Sequence, residues 1–118
     1  MDEIKLSHNA STLLYALYKA YKKQKQKGVP KEDAAIFGST LDIQLEVMPK
    51  WALSDIYDAC AELCDEYLLD CVPGDDDIQM AILTNDGIRF AENRYANGVK
   101  TVWSLIKEIF SIIPFWGA

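Results

Sequence analysis

Five carboxylates, Asp55, Asp58, Glu62, Asp65 and Glu66, recur at helical spacing in the middle of the chain. On a helix they occupy an arc of about 100°, nearly opposite a face marked by Ile56, Cys60, Leu63 and Tyr67. Grouped carboxylates act as general acids, general bases or metal ligands when burial or close pairing shifts their proton affinity. These five are expected to face water, where neither condition holds. The run Asp75-Asp76-Asp77 sits in the turn-like stretch Pro73-Gly74-Asp75-Asp76-Asp77. It lacks the alternating oxygen ligands, central glycine and distal glutamate of a calcium loop. Three cysteines, Cys60, Cys64 and Cys71, would need a fourth ligand for zinc, and the one histidine, His8, is remote in sequence. No glycine-rich phosphate loop, nucleophile elbow or metal-binding histidine pair is present. The expectation is a protein that is not an enzyme, with no catalytic residues, metal or cofactor.

The 118 residues suit one domain, with a core over about 5–97 and a C-terminal extension over 98–118. Half of them are hydrophobic and a quarter charged, the composition of a folded protein. Met1-Asp2-Glu3-Ile4-Lys5 has no apolar run, and an odd set of cysteines makes no disulfide framework, so a reducing cytoplasmic setting is expected. The net charge of −6 is unevenly spread. Residues 1–31 hold seven Lys and two acids, residues 32–92 two basic and fifteen acidic residues, and residues 93–118 three and one. An acidic body between basic ends repels polyanions at short range.

Helical periodicity in Ala10, Leu13, Leu14, Leu17, Tyr18 and Tyr21 predicts a first helix, capped by Ser7 or Asn9 and ended by Gly28 and Pro30. Lys19, Lys22 and Lys23 lie opposite that stripe, as a solvated face or as phosphate contacts. Ala34 to Phe37 reads as a short helix or a first strand. Leu41-x-Ile43-x-Leu45-x-Val47 fits both a half-buried strand and a short helix capped by Ser39 or Thr40 and stopped by Pro49. The helix is favoured, since a further helix lies directly downstream. Ser54 is the expected cap of that further helix. Leu68 to Val72 and Ile78 to Leu83 then read as a hairpin, and Thr84 caps a last helix.

In that last helix Ile88, Ala91, Tyr95, Val99, Val102, Trp103, Ile106, Ile109, Phe110 and Ile113 keep within an arc of about 120°, which predicts one unbroken helix from Asn85 to Ile113. Its length would be about 43 Å at 1.5 Å per residue. Trp103, Ile106, Ile109, Phe110, Ile113, Phe115 and Trp116 form a dense apolar set. It packs on the domain's own core, forms a homodimer or heterologous interface, or lies on a membrane surface; Val102 to Trp116 is too short to span ~30 Å of hydrocarbon.

The order helix, short helix, helix, hairpin, helix resembles a winged helix-turn-helix, an α+β and mostly helical fold, here with a long C-terminal helix. Asp55-Ile56-Tyr57-Asp58-Ala59-Cys60-Ala61-Glu62-Leu63 looks like its third helix, and Leu83-Thr84-Asn85-Asp86-Gly87-Ile88 like a second wing strand entering a closing helix. With Glu92-Asn93-Arg94-Tyr95-Ala96-Asn97-Gly98, the chain is similar to small YjcQ-type proteins of Gram-positive bacteria and their phages. The resemblance implies a phage or mobile-element setting. Winged helices read DNA with a basic third helix and wing, and here both are acidic. The expected function is therefore recognition of a protein, a basic one, by Asp55, Asp58, Glu62, Asp65, Glu66, Asp75, Asp76 and Asp77. The alternative is a DNA-binding regulator using Lys19, Lys22 and Lys23, and a weaker one is a peripheral membrane protein.

Overall fold

The computed structural model describes residues 4–75 and 77–97, and among them the protein is a mixed α+β structure, mostly helical, with five helices and one three-stranded antiparallel sheet. Helix α1 (His8–Gln26) begins at Ser7, whose hydroxyl accepts from the Ala10 N–H at 3.1 Å. Every residue from Ala10 to Leu17 is buried, so this half of the helix runs through the core rather than along it. The apolar stripe read from the sequence is present, with Ser11 and Thr12 enclosed beside it. Helix α1 packs against α2 (Lys31–Ala34), α4 (Leu53–Asp65) and α5 (Asn85–Asn97).

The ambiguous stretch after α1 contains both candidate structures in succession. Lys31–Ala34 is one helical turn, and Ile36–Gly38 is strand β1. Helix α3 (Thr40–Glu46) comes next, fixed by a reciprocal cap in which the Ser39 hydroxyl accepts from the Asp42 N–H at 3.2 Å and the Asp42 carboxylate accepts from the Ser39 N–H at 3.0 Å. The helix resolves the Leu41-x-Ile43-x-Leu45-x-Val47 alternation: Ile43 is buried, while Leu41 and Leu45 point to solvent.

Two expectations for α4 need correction. Its N-cap is Ala52, with no side-chain bond, and Ser54 lies exposed inside the first turn. Ile56, Cys60 and Leu63 are buried as expected, but Tyr67 is 77% exposed, because the helix has already ended at Asp65. The Leu68 N–H donates to the Leu63 carbonyl at 2.9 Å and the Tyr67 N–H to the Cys64 carbonyl at 3.0 Å. This is the Schellman ending, which places Tyr67 in the left-handed region at φ 61°, where glycine is usual.

Strands β2 (Leu69–Pro73) and β3 (Ile78–Leu83) form the hairpin, and β1 pairs with the far edge of β3, so the sheet order is β1-β3-β2. Leu69, Ala81 and Leu83 face the core while Asp70, Val72 and Met80 face outward. Leu13, Leu14, Leu17, Ile43, Met48, Ile56, Leu63, Leu68 and Leu69 are fully buried between α1, α3, α4 and the sheet. At about 1.5–3 kcal/mol for each large apolar side chain, this cluster dominates the driving force for folding.

Candidate protein-recognition surface

The eight acidic residues singled out in the sequence separate into three groups. Asp55, Asp58, Asp65 and Glu66 on and just after α4, and Asp75 in the hairpin loop, are exposed. Glu62 is half-buried, and its carboxylate accepts the Ser7 N–H and the Ser7 hydroxyl, each at 2.7 Å. Asp77 accepts the Thr40 hydroxyl at 2.7 and 2.8 Å and the Ile78 N–H at 2.7 Å. Asp76 lies outside the described residues, as do Trp103, Ile106, Ile109, Phe110, Ile113, Phe115 and Trp116 and the helix expected beyond Asn97.

Glu62 and Asp77 are therefore fastenings rather than free recognition groups. Each places a carboxylate at the beginning of a helix, where unpaired N–H groups and the helix dipole favour negative charge. Glu62 joins α4 to the start of α1, across 55 residues of sequence. Asp77 joins the hairpin loop to the buried Thr40, the first residue of α3. The buried residues of α4 include Ala59 as well as Ile56, Cys60 and Leu63. Glu62, three residues after Ala59 and so its neighbour on the helix surface, lies at the margin of that side and reaches Ser7.

The rest of the α4 surface is an outward acidic face. Its exposed carboxylates come from Asp55, Asp58, Asp65 and Glu66, and no Lys or Arg occurs in the sequence between Lys50 and Arg89. Among the described residues no group of three or more His, Cys, Asp and Glu side chains is arranged to hold a metal ion. Nor is any helix among them long and apolar enough to cross a membrane.

The basic candidates lie on α1. Lys19, Lys22 and Lys23 are exposed, with the Lys19 ammonium 5.8 Å from the Tyr15 ring centroid and that of Lys22 6.0 Å from Tyr18. Glu92 of α5 lies close to the same region. Burial first, and then the Glu92 charge, raise the Tyr18 and Tyr21 phenols above their ordinary range. A carboxylate beside the lysine face weakens its field for phosphate.

The thiols form a structural group between α4 and β2. Burial, followed by the neighbouring Cys71, Asp77 and Cys64, pushes the Cys60 thiol up to about 12, and burial with Cys64 beside it pushes Cys71 up to about 12. A low thiolate fraction makes both poor nucleophiles at neutral pH. Iodoacetamide at pH 8 is expected to leave Cys60 and Cys71 unmodified in the native protein while alkylating both in urea, read by peptide mass. Because a raised thiol favours the folded state only while protonated, this contribution is full below pH 9 and is lost as the pH climbs towards 12. Rapid native labelling at Cys60 would contradict the burial.

No family model matches the chain, and no curated protein or solved structure matches it.

Proposed function

We propose that the protein is a non-catalytic adaptor or regulator of winged-helix type that recognises a basic protein partner through the exposed carboxylates of α4. The carrying observation is the side-chain content of that surface: Asp55, Asp58, Asp65 and Glu66 are exposed, and no cation occurs within the stretch that builds α4 and the hairpin. The winged-helix reading draws support from the sequence of elements, α1, α2, β1, α3, α4, β2, β3, α5, in which α2 is a single extra turn before β1, and from the β1-β3-β2 order. On this reading α4 would correspond to the recognition helix and the loop around Asp75 to the wing. A duplex brought against it would meet charges of its own sign, with none of the counterion release that drives nucleic-acid binding. A basic protein would gain both attraction and a faster encounter. The apolar set from Trp103 to Trp116 supplies a second contact in this proposal, as a homodimer interface.

The second reading, a DNA-binding regulator, is favoured by the exposure of Lys19, Lys22 and Lys23 together on α1. Titration onto a fluorescent DNA duplex at about 50, 100 and 200 mM salt, the scale on which phosphate contacts weaken, separates the two. Protein recognition predicts no saturable binding at micromolar protein. Tight binding that falls steeply with salt and is lost in the Lys19, Lys22 and Lys23 alanine variant would establish the regulator instead.

A further inference from the structure

Helix α3 carries two features side by side on its outward surface. Leu41 is 48% exposed and Leu45 67% exposed, at the i and i+4 positions that form one ridge of a helix. Asp42 and Glu46, both exposed, form a parallel ridge one residue further along. The same helix buries Thr40 and Ile43, so its orientation is fixed and the leucines are not an alternative packing of the core. The cap between Ser39 and Asp42 and the bond from Thr40 to Asp77 hold the helix at its start. Among the described residues, Leu45 is left two-thirds open to water on a helix so firmly held. The charged side chains of the helix itself, Asp42 and Glu46, are both negative, and between Lys31 and Lys50 the sequence contains no cation.

We propose that the Leu41–Leu45 ridge of α3 is the apolar anchor of the partner site, and that its occupant is an amphipathic helical segment of a partner protein carrying leucine-like side chains on one edge and lysine or arginine on the next. The inference rests on the protein-recognition reading above and specifies the chemistry of the partner. A helix laid against α3 matches both ridges at once: its apolar side chains at i and i+4 cover Leu41 and Leu45, and its cations meet Glu46 and the outer side of Asp42, whose Oδ2 takes the cap bonds from Ser39. Apolar anchors at the centre with charge at the rim is the arrangement in which area supplies affinity and charge supplies register. The acidic face of α4 then steers the basic segment on approach, while α3 holds it.

The probe is a helical peptide of Leu and Lys in amphipathic spacing, titrated into the isotope-labelled full-length protein and followed by backbone amide shifts. A Ser/Lys peptide of equal charge and a Leu/Glu peptide of equal apolarity serve as controls. The expected result is saturable shifts across Thr40–Glu46, with affinity at least about tenfold weaker for the Leu41→Ala/Leu45→Ala double variant and a lower salt dependence for Glu46→Gln. Alanine favours the helix at exposed positions, so the double variant retains its fold and melting temperature. Equal binding by the Ser/Lys peptide, or no loss in the leucine variant, overturns the ridge as an anchor. Shifts confined to Leu53–Asp65 overturn it too, while leaving recognition by the acidic helix standing. Absence of binding by the Leu/Lys peptide to either helix removes both. A fall in the solution mass of the unliganded protein on Leu41→Ala/Leu45→Ala substitution would make a second copy of the chain the occupant and overturn the heterologous assignment.

Discussion

Gly87→Ala is expected to destabilise the protein by about 3 kcal/mol or more, a substantial share of the roughly 5–15 kcal/mol that holds an ordinary domain folded. Gly87 sits in the first turn of α5, where its N–H donates to the Thr84 hydroxyl at 2.9 Å. A Cβ there would collide with the Leu68 carbonyl oxygen and lie 3.0 Å from Cδ1 of Leu83. The carbonyl cannot turn aside, because it already accepts the Thr84 N–H at 3.2 Å and the Thr84 hydroxyl at 3.1 Å. Relief requires moving the chain where it leaves α4 for β2, a segment pinned by the buried Leu63 and Leu68. Gly28→Ala is the contrasting control. Gly28 has φ +87° but nothing within 4 Å of an added methyl, so its cost is the left-handed backbone alone, about 1–2 kcal/mol. Urea midpoints with unchanged slopes measure both. A loss at Gly87 no larger than that at Gly28 would show that the α5–β2 junction yields freely.

The second large effect is expected at Tyr95, where α5 meets α1. Its ring is 7% exposed and stands edge-on to Tyr15 with centroids 4.8 Å apart, and its hydroxyl donates to the Ser11 carbonyl at 2.7 Å. Removing the ring in Tyr95→Ala is expected to cost about 3–5 kcal/mol. Tyr95→Phe keeps the packing and loses the bond, at about 1–1.5 kcal/mol. Burial is the main reason that the Tyr95 phenol titrates well above its ordinary value of 10.0; the adjacent Arg94 opposes that shift and Tyr15 adds to it. A raised phenol supports the folded state while it is protonated, so its contribution is whole below pH 10 and declines as the pH rises beyond it. The gap between wild type and Tyr95→Phe should therefore be constant from about pH 7 to 9 and shrink above 10, since phenylalanine has no proton to lose. Urea denaturation across that range reads the difference directly, and a gap that widens with alkali would contradict the placement of the hydroxyl.

Local signals in the sequence carry the elements that local chemistry decides. Ser7 and Thr84 are polar caps ahead of strong apolar periodicity, and both helices start there. The stretch from Lys31 to Val47 is ambiguous as sequence because period-two and helical patterns coincide over so few residues, and it holds a helix, a strand and a second helix in turn. Ser54 fails as a cap because a hydroxyl is one of several ways to begin a helix, and the chain enters α4 through an extended Ala52 instead. Tyr67 fits the core pattern only for a helix that continues past Asp65. On the acidic surface, composition reveals the charge but not its use. Nothing within a few residues of Glu62 or Asp77 points to Ser7, 55 residues away, or to Thr40, 37 residues away. The role of Gly87 is equally hidden, since the atom that excludes a side chain belongs to Leu68.

The central place of β3 bears on how the chain is assembled. Among the described residues both edge strands hydrogen-bond only to β3, the last of the three to be made, and the Leu83 N–H reaches back to the Ala35 carbonyl at 2.8 Å. During N-to-C synthesis, then, β1 waits through more than forty residues of elongation with its amides unsatisfied by any sister strand. Helices α1 to α4 can collapse on the ribosome before the sheet exists, which leaves the emerging polypeptide with unpaired strands and a particular need for shielding until residue 83 has cleared the exit tunnel.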